Sequence, residues 1–172
     1  KPVNSQSIYR RRDELSEGAV YGEVAYDVTA RITATLGGRW FATRVDTRAG
    51  DFDIAQTTVA PIHEKLTDQG VAPKARISFA ATPELVVYAQ VQEGYRAGGF
   101  NIPAAAGGGL IETVAARFRP DHLWSYELGA ALPLFDHALV LRGAVFHADW
   151  QNLQTDQRLA SGLPMTVNIG DG

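Results

Sequence analysis

The sequence predicts an all-β chain of antiparallel strands, and three observations lead to this prediction. Apolar and polar residues alternate with a period of two in several segments, as expected of a strand with one apolar and one polar face. About seven such segments occur in the 172 residues, and no stretch has the pattern of a helix. The connections between the segments are alternately tight and long, so tight turns join neighbouring strands as hairpins.

Two segments near the N-terminus show the alternation most clearly. In "GAVYGEVAYDV" (Gly18 to Val28), apolar side chains share one parity and mostly polar side chains share the other. After the short turn "DVTAR" the pattern returns in "RITATLGGRWF" (Arg31 to Phe41), and we expect these strands to form a hairpin. Residues 1–17 are predicted to be an N-terminal loop segment, and a polar stretch from about 43 to 73 is assigned mainly to loop.

Five further segments complete the predicted strands, and a glycine- and alanine-rich loop from about 97 to 121 divides them. The segments are "KARISFAAT" (74–82), "LVVYAQVQEGYR" (85–96), "LWSYELGAAL" (123–132), "ALVLRGAVFHADWQNLQ" (138–154) and "MTVNIG" (165–170).

Composition excludes several classes of function. The net charge is −3 and the pI is about 5.8, which gives no electrostatic basis for binding nucleic acid. The chain has no cysteine, so it has neither disulfides nor thiolate metal sites. The histidines lack metal-ligand spacing, and Ser125, near Glu127 and His122, sits in no nucleophile elbow. We therefore expect no metal, no cofactor and no enzymatic activity.

The connections favour a membrane-spanning up-and-down barrel over a sandwich. Such barrels have short periplasmic turns and long extracellular loops. "DVTAR", "TPE" and "PLFDH" would be the periplasmic turns, and the loops around Asp51, Gly107 and Ser161 would be extracellular. This pattern predicts part of an outer-membrane barrel, although alternation alone is equally typical of an antiparallel sheet with one wet face.

Aromatic residues lie near both ends of the predicted strands, where membrane barrels carry aromatic girdles. Aromatic residues also favour strands in general, so this signal is not decisive. The candidate girdle residues are Tyr26 and Phe135 near the short turns, and Trp40, Tyr95, Trp124 and Trp150 near the outer ends.

One parity of the strands is rich in charged and amide side chains, which would line the lumen of a barrel. We expect Glu127 and Arg142, on strands joined by a turn, to be close enough for a cross-strand ion pair. The predicted lumen set is Glu23, Arg39, Lys74, Arg76, Gln90, Gln92, Glu127 and Arg142.

The segment "GYRAGGFN" raises the question of a phosphate-binding glycine loop. Such a loop needs a following helix and a nearby lysine, and "IPAAAGGGL" supplies neither. We expect Gly98 and Gly99 to permit a tight bend at the outer end of a strand. Arg96 and Asn101 would either hydrogen-bond backbone groups there or contact a ligand from the loop.

Four segments, in order, resemble the barrel of TonB-dependent outer-membrane receptors. The resemblance covers most of the chain from Val20 onward, and its specificity comes from the order of the four. The segments are "VYGEVAYDVTARITATLGGRWFATRVDT", "LVVYAQVQEGYRAGGFN", "FRPDHLWSYELGAALPLFDHALVLRGAVFHADWQNLQ" and "VNIGDG".

This resemblance implies a bacterial outer-membrane receptor that takes up a scarce nutrient of the iron-siderophore, cobalamin or saccharide class. The family's barrel has about 22 strands and encloses a plug domain. The plug and the TonB box are absent from these residues, so we expect 18–172 to be an internal part of the barrel. The implied partners are outer-membrane lipid, the TonB complex acting through the plug, and a small-molecule nutrient. The implied ligand-path or loop residues are Arg39, Gln90, Gln92, Arg96, Asn101, Glu127 and Arg142. The alternative is a small self-contained β-barrel or β-sandwich acting as a binding or passive-pore module.

Overall fold

The computed structural model describes residues 8–52, 62–101, 117–136, 138–158 and 164–172. Within these ranges no helix is long and apolar enough to cross a membrane. The strands are β1 (Ile8–Thr29), β2 (Ile32–Phe52), β3 (Ile62–Ala80), β4 (Val86–Arg96), β5 (Gly99–Phe100), β6 (Arg117–Phe118), β7 (Asp121–Leu134), β8 (Leu139–Gln151), β9 (Gln154–Arg158) and β10 (Pro164–Asn168).

Six of the strands form one antiparallel sheet in the order β1-β2-β3-β4-β7-β8. β5 pairs with β6, and β9 pairs with β10, as two small sheets. The main sheet does not close within the described residues, because β1 and β8 each have a neighbour on one side only. The predicted all-β, antiparallel, partial-barrel architecture is confirmed. The six strands of the main sheet run alternately up and down in the order of the sequence.

Three short turns join β1 to β2, β3 to β4 and β7 to β8, and all three lie at the same end of the sheet. Thr29 Oγ1 accepts two backbone N–H groups at 3.2 and 3.0 Å, and Thr82 Oγ1 does the same at 3.2 and 3.0 Å. In the third turn Phe135 and Asp136 both have a φ of 52°. Positive φ at adjacent turn residues matches the twist of the flanking strands. The three predicted short connections are therefore confirmed.

β1, β2 and β3 are much longer than the sequence pattern indicated. β1 begins at Ile8, so the predicted N-terminal loop of residues 1–17 is strand from residue 8 onward. β2 continues to Phe52 and β3 begins at Ile62, so 43–73 is mainly strand rather than loop. The backbone ladder continues through this region, where charged and polar side chains occupy most positions and side-chain alternation gives a weak signal.

The long connections fall at the other end of the sheet, which we call the outer end. Their centres, 53–61, 102–116 and 159–163, lie outside the described residues, and so do the predicted loop positions Gly107 and Ser161. Asp51 belongs to β2 rather than to a loop.

The register divides the main sheet into two faces. One face, which we call the apolar face, continues across β1, β2 and β3 through the paired positions Val24, Leu36 and Ala75. Its large side chains include Val20, Tyr26, Trp40, Val71, Ile77, Val91, Tyr126, Leu128 and Val145. The opposite face, which we call the polar face, carries the charged and amide side chains.

Exposure of the two faces is inverted relative to a water-soluble sheet. On β2, which has a neighbour on each side, Leu36 of the apolar face is 67% exposed, whereas Thr43 and Thr47 of the polar face are 2% and 0% exposed. Phe41, also on the polar side, is buried. A soluble sandwich buries its apolar face, whereas a membrane barrel turns it outward and lines its interior with polar groups. The inversion indicates which face is turned outward, which the alternation of apolar and polar residues does not.

Candidate ligand path and outer-end cluster

The eight side chains predicted to share one face do lie together on the polar face. Glu23 and Lys74 both flank Gly37, and Lys74 in turn opposes Gln92. Arg76 opposes Gln90, which opposes Glu127. Arg39 opposes Ala72, which has the parity of Lys74, and Arg142 opposes Ala131, which has the parity of Glu127, so both arginines lie on the same face.

Ion pairs join neighbouring strands across this face. Lys74 Nζ donates to Glu23 Oε2 at 2.8 Å, which spans from β3 to β1 over the small residue Gly37. Arg39 donates to Glu17 one strand away. These two pairs place both signs of charge on the polar face of the first three strands.

A second group of contacts lies on β3, β4 and β7. The guanidinium carbon of Arg76 lies 3.9 Å from the centroid of the Tyr88 ring, and the Tyr88 hydroxyl donates to Glu127 Oε1 at 2.6 Å. The Tyr88 ring packs directly over Gly129, where a Cβ would lie only 2.6 Å from the tyrosine. Gln90 Nε2 donates to Gln92 Oε1 at 3.3 Å. This face offers donors, acceptors and both signs of charge to a polar solute.

The predicted Glu127–Arg142 ion pair is wrong. Arg142 opposes Ala131, whereas Glu127 opposes Phe146, so the two side chains are four positions apart along the strands. At about 3.4 Å per residue that offset exceeds the reach of an ion pair. The geometry of the β7–β8 turn sets this register, and the pattern of polar residues does not reveal it.

An ion pair between a buried carboxylate and a half-exposed arginine lies at the outer end of the sheet. Asp121, at the start of β7, is 2% exposed and accepts hydrogen bonds from Nε and Nη2 of Arg96 at the end of β4. Arg96 Nε lies 3.1 Å from each carboxylate oxygen. The backbone N–H of Gln154 also donates to Asp121 Oδ2 at 3.0 Å. Such a two-pronged arginine–carboxylate contact fixes orientation as well as distance.

Gln154 connects three segments of chain around this pair. Its Nε2 donates to the carbonyl of Ala97 at 3.0 Å and to the carbonyl of Arg119 at 2.8 Å. Its own carbonyl accepts from Arg96 Nη2 at 3.0 Å. The ends of the β4–β7 connection and the start of β9 are thereby held together.

Two asparagines extend the same arrangement to the C-terminal segment. Asn101 Nδ2 donates to the Thr166 carbonyl at 2.6 Å, and the Thr166 N–H donates back to Asn101 Oδ1 at 2.8 Å. Asn168 makes the equivalent pair of contacts with the backbone of Arg119, at 3.1 and 2.7 Å. We call Arg96, Asn101, Asp121, Gln154 and Asn168 the outer-end cluster.

The two glycines of "GYRAGGFN" are required for close approach. A Cβ on Gly98 would lie 2.7 Å from the carbonyl oxygen of Phe118 and 3.0 Å from Pro120. A Cβ on Gly99 would lie 2.5 Å from the Phe118 ring. Neither glycine has a positive φ, so a left-handed backbone is not the reason for glycine at the predicted bend. The glycines are needed because neighbouring segments of the chain leave no room for a Cβ.

The outer-end cluster favours an ionised carboxylate. Burial tends to raise the pKa of Asp121, but the hydrogen bonds from Arg96 and from the Gln154 amide, with the Arg96 charge, outweigh burial and lower that pKa below its usual value. The same hydrogen bond raises the pKa of Arg96. Both groups are therefore charged at neutral pH.

The short two-stranded sheet of β5 and β6 lies against the polar side of β1. Phe100 is buried, and its carbonyl accepts from Arg11 Nη2 at 3.0 Å. The Arg117 guanidinium lies 5.2 Å from the Phe100 ring. The described ends of the β4–β7 connection thus lie over the polar face of β1.

The candidate girdle residues occupy three kinds of position. Tyr26, Trp40 and Trp124 lie on the apolar face by register. Phe135 is an exposed residue of the β7–β8 turn. Trp150 has the parity of the polar face, and the Arg96 guanidinium lies 5.5 Å from its ring. Trp150 therefore belongs with the outer-end cluster rather than with an outward belt.

Tyr95 also leaves the position that its parity indicated. The pairing of β3 with β4 ends at Lys74 and Gln92, and beyond that point the Tyr95 ring packs 4.0 Å from Phe41. Its hydroxyl donates to Asp68 Oδ2 at 3.1 Å. Tyr95 thus contacts polar-face residues of β2 and β3.

The described histidines make isolated contacts. His63 Nε2 lies 3.1 Å from Asp46, His122 Nδ1 lies 2.6 Å from Glu93, and His147 stacks on a tyrosine ring. His137 lies outside the described residues. In the ranges that the structure covers, no three His, Cys, Asp or Glu side chains are grouped to hold a metal ion.

Sequence reasoning missed Tyr88, Asp121 and Gln154. Each lies within or next to a strand whose alternation was recognised, but a pairing partner distant in sequence defines its role. Asp121 follows a proline at the start of a strand. The sequence does not show that this carboxylate is buried, and burial is what makes a cationic partner necessary.

Inverted faces and connections of alternating length together indicate a membrane barrel. The model of one protein family, described as TonB dependent receptor-like, beta-barrel, matches residues 1–172. The chain belongs to this family. The resemblance of the four sequence segments is thereby confirmed.

Two solved structures share the fold of this TonB-dependent receptor-like chain. The crystal structure of the ferric yersiniabactin uptake receptor FyuA from Yersinia pestis matches with a TM-score of 0.70 and 22% identity, over 86% of this chain and 22% of that chain. The ferric-catecholate import receptor Fiu from K12 E. coli, in its closed form, matches with a TM-score of 0.68 and 13% identity, over 94% of this chain and 24% of that chain. The chain thus spans less than a quarter of the length of either receptor.

Proposed function

We propose that this chain is part of the barrel of a bacterial outer-membrane receptor that takes up a scarce nutrient with energy supplied through TonB. The inverted sheet carries the proposal, because an exposed apolar face beside a sheltered polar face suits a wall between lipid and an aqueous lumen. Membership of the TonB-dependent receptor-like family supports it. The names of both similar structures include a ferric ligand, which favours the iron-siderophore class over cobalamin or saccharides.

In this proposal the polar face is one wall of the ligand path. Arg39, Gln90, Gln92, Glu127 and Arg142 would contact a passing solute. Arg142 suits this role most directly, because it makes no hydrogen bond or ion pair within the described part of the chain. Its guanidinium can therefore bind a carboxylate or phenolate oxygen of a ligand.

Arg96 and Asn101 are assigned a bracing role instead. Asn101 is 5% exposed, with both ends of its amide bonded to Thr166. Arg96 is committed to Asp121 and to the Gln154 carbonyl. We propose that these residues hold the outer connections in place for ligand contact by other loop residues.

The partners follow from the same assignment. Outer-membrane lipid would cover the apolar face, and the TonB complex would act through the plug domain of the parent receptor. The alternative of a small self-contained barrel or sandwich is less well supported. Both edges of the main sheet lack a neighbour within the described residues, and nothing there packs on the apolar face.

Cysteine labelling in intact cells tests the membrane arrangement. These residues contain no cysteine, so single variants of the full-length receptor can be read against a cysteine-free background in which any other cysteine is replaced. We expect a membrane-impermeant maleimide to label Arg158→Cys, at the outer end, in intact cells. Glu84→Cys, in the β3–β4 turn, should react only after the outer membrane is permeabilised.

Arg31→Cys, in the β1–β2 turn, is the matched control and should behave like Glu84→Cys. Equal labelling of Arg158→Cys and Glu84→Cys in intact cells would refute the arrangement. Uptake of radiolabelled ferric siderophores by these cells, with and without TonB, then tests transport. Uptake that continues without TonB would contradict the proposed energy source.

A further inference from the structure

The backbone ladder between β3 and β4 stops well below the outer end of β3. The two strands pair only as far as Lys74 and Gln92, whereas β3 pairs with β2 on its other side as far as Ile62. Above Lys74, β3 has no second neighbouring strand within the described residues. The outer half of β3 is therefore an edge of the sheet on the side from which β4 has turned away. We call residues 63–71 the β3 edge.

Two hydrogen bonds show which backbone groups lie along the β3 edge. The Ala80 N–H donates to the Arg31 carbonyl, on the β2 side, at 2.8 Å. The next N–H, that of Ala81, donates to the Leu85 carbonyl, on the β4 side, at 2.9 Å. Successive residues of a strand direct their backbone groups to opposite sides, and the β2–β3 register is continuous. The odd-numbered residues of β3 therefore present their N–H and C=O groups to the edge.

Pro73 gives a reason for the end of the β3–β4 ladder. It is the first edge-directed residue beyond Lys74, and the register would place it opposite Glu93. Proline has no N–H group to donate, so it suits a strand side that has no partner. Beyond this point the Tyr95 side chain of β4 turns to the polar face and packs 4.0 Å from Phe41. The backbone of the β3 edge is left without a strand beside it.

The side chains along the β3 edge differ between its two faces. The outward face carries His63 and Lys65, and the polar face carries Glu64, Leu66 and Asp68. A strand with acidic side chains outward, alternating with basic or apolar ones, would complement both faces. A charged edge also disfavours pairing with an apolar strand, so this one selects its partner by charge.

A second copy of the receptor in the same membrane does not fit the β3 edge. Two copies inserted with the same orientation both have β3 running from the outer end toward the short turns. Their edges would run in the same direction, and strand tilts of about 45° would make them cross at about 90°. No backbone ladder forms at that angle, so the fitting occupant is a segment that approaches from solution.

We propose that the β3 edge binds an extended segment of an extracellular protein by strand addition. The segment runs antiparallel to β3, with acidic side chains opposite His63 and Lys65 and backbone hydrogen bonds to the edge. At about 3.4 Å per residue, the β3 edge spans roughly 27 Å, which is enough for a strand of ordinary length. The inference rests on the proposed outer-membrane arrangement, which puts this edge outside the cell.

Proline at an edge-directed position tests the inference without breaking β3. Thr67→Pro removes an N–H that points away from β2, so the β2–β3 ladder keeps its hydrogen bonds. The probe is the synthetic peptide Val-Thr-Thr-Lys-Thr-Val-Glu-Lys-Glu, whose glutamates oppose Lys65 and His63 in an antiparallel register. We expect Thr67→Pro to weaken its binding to the full-length receptor in detergent by at least about 10-fold, measured by fluorescence anisotropy.

The matched control is Thr67→Val, which changes the same side chain but keeps the N–H, and it should bind the peptide within about 2-fold of the parent. Replacing both glutamates of the peptide by lysine should weaken binding to the parent by about 5- to 30-fold. The inference is overturned by parent-like binding in Thr67→Pro, by an equal loss in Thr67→Val, by equal binding of the lysine peptide, or by no binding to the parent at millimolar peptide.

Hydrogen exchange of the unmodified receptor tests the open edge without any substitution. The amides of Lys65, Thr67 and Val71 should exchange at least about 10-fold faster than those of Leu66 and Gly70, which face β2. The peptide should slow exchange at the first three amides. Slow exchange at these amides in the receptor alone would show that another segment of the receptor already covers the edge, and this would also overturn the inference.

These outcomes are separable from failure of the proposed function. If Arg158→Cys and Glu84→Cys label on opposite sides of the membrane while peptide binding is insensitive to Thr67→Pro, only the strand-addition inference fails. If the two cysteines label equally in intact cells, the outer-membrane assignment itself fails.

Discussion

Replacing Asp121 by asparagine is expected to weaken the outer end of the sheet by about 2–4 kcal/mol, since it removes the charge of a buried carboxylate that accepts hydrogen bonds from Arg96 and from the Gln154 amide. The asparagine NH₂ group would also oppose donors from Arg96 or Gln154, which now meet carboxylate oxygens. Hydrogen exchange in the full-length receptor reads this effect locally. Amides of 97–101 and 152–158 should exchange about 30- to 1,000-fold faster than in the parent.

The matched control is Glu64→Gln, an exposed carboxylate on β3 with no partner in the described part of the chain. Its exchange should equal that of the parent. Because the folded pKa of Asp121 is lowered, its stabilising effect is complete above the unfolded pKa of about 3.9 and is lost as the pH falls through the folded value. Exchange should therefore stay constant from pH 7 to about 5, after correction for intrinsic rates. A change below 3-fold in Asp121→Asn would contradict the role of the cluster.

Gly98→Ala is expected to cost about 1–3 kcal/mol at the same site. The new methyl group would lie 2.7 Å from a backbone oxygen of Phe118 and 3.0 Å from Pro120, and neither can move aside as a flexible side chain can. The β4–β7 connection should separate from β9, with faster proteolysis of the outer connection and faster exchange at 97–101 as the measured results.

Gly22→Ala provides the comparison, because a Cβ at Gly22 meets nothing within 4 Å. In the strand interior that change should be neutral or stabilise by up to about 1 kcal/mol. Equal effects of the two substitutions would show that close packing of Gly98 does not hold the outer connection.

The strand pattern and the short turns were predictable from sequence because both depend on local chemistry. Period-two alternation marks Gly18–Val28 and the later strands wherever one face of the sheet has apolar surroundings and the other face has polar surroundings. Threonine residues such as Thr29 and Thr82 mark turns because their hydroxyl groups accept hydrogen bonds from nearby backbone N–H groups. These signals extend over only a few residues.

The lengths of the strands were not predictable in the same way. Residues 43–52 and 62–70 carry mostly charged or polar side chains on the face that continues the apolar face, because they extend beyond the row of Val20, Trp40 and Val71 where its apolar part ends. Only the backbone ladder between β2 and β3 reveals them as strand. The separation of Glu127 from Arg142 was missed for a related reason, since register depends on turn geometry and not on composition.

The outer-end cluster was half visible in the sequence. Arg96 and Asn101 were predicted either to hydrogen-bond backbone groups at the bend or to contact a ligand, and in the structure both hydrogen-bond backbone groups elsewhere in the chain. Their partners Gln154 and Thr166 are more than 50 residues away, and no local pattern connects such distant positions. The reason for glycine at position 98 was not predictable, since crowding by Phe118 and Pro120 is visible only in three dimensions.

A nitroxide scan along β2 tests most directly the claim that the apolar face meets lipid and the polar face meets water. Single labels at residues 32–40 of the full-length receptor in bilayers would be measured for collision with oxygen, which concentrates in lipid, and with a nickel chelate, which stays in water. The account predicts oxygen maxima at Ala34, Leu36 and Trp40, with nickel maxima at Thr33 and Arg39 on the polar face. Labels at Leu36 and Trp40 that are shielded from both reagents, as in a packed soluble core, would contradict it.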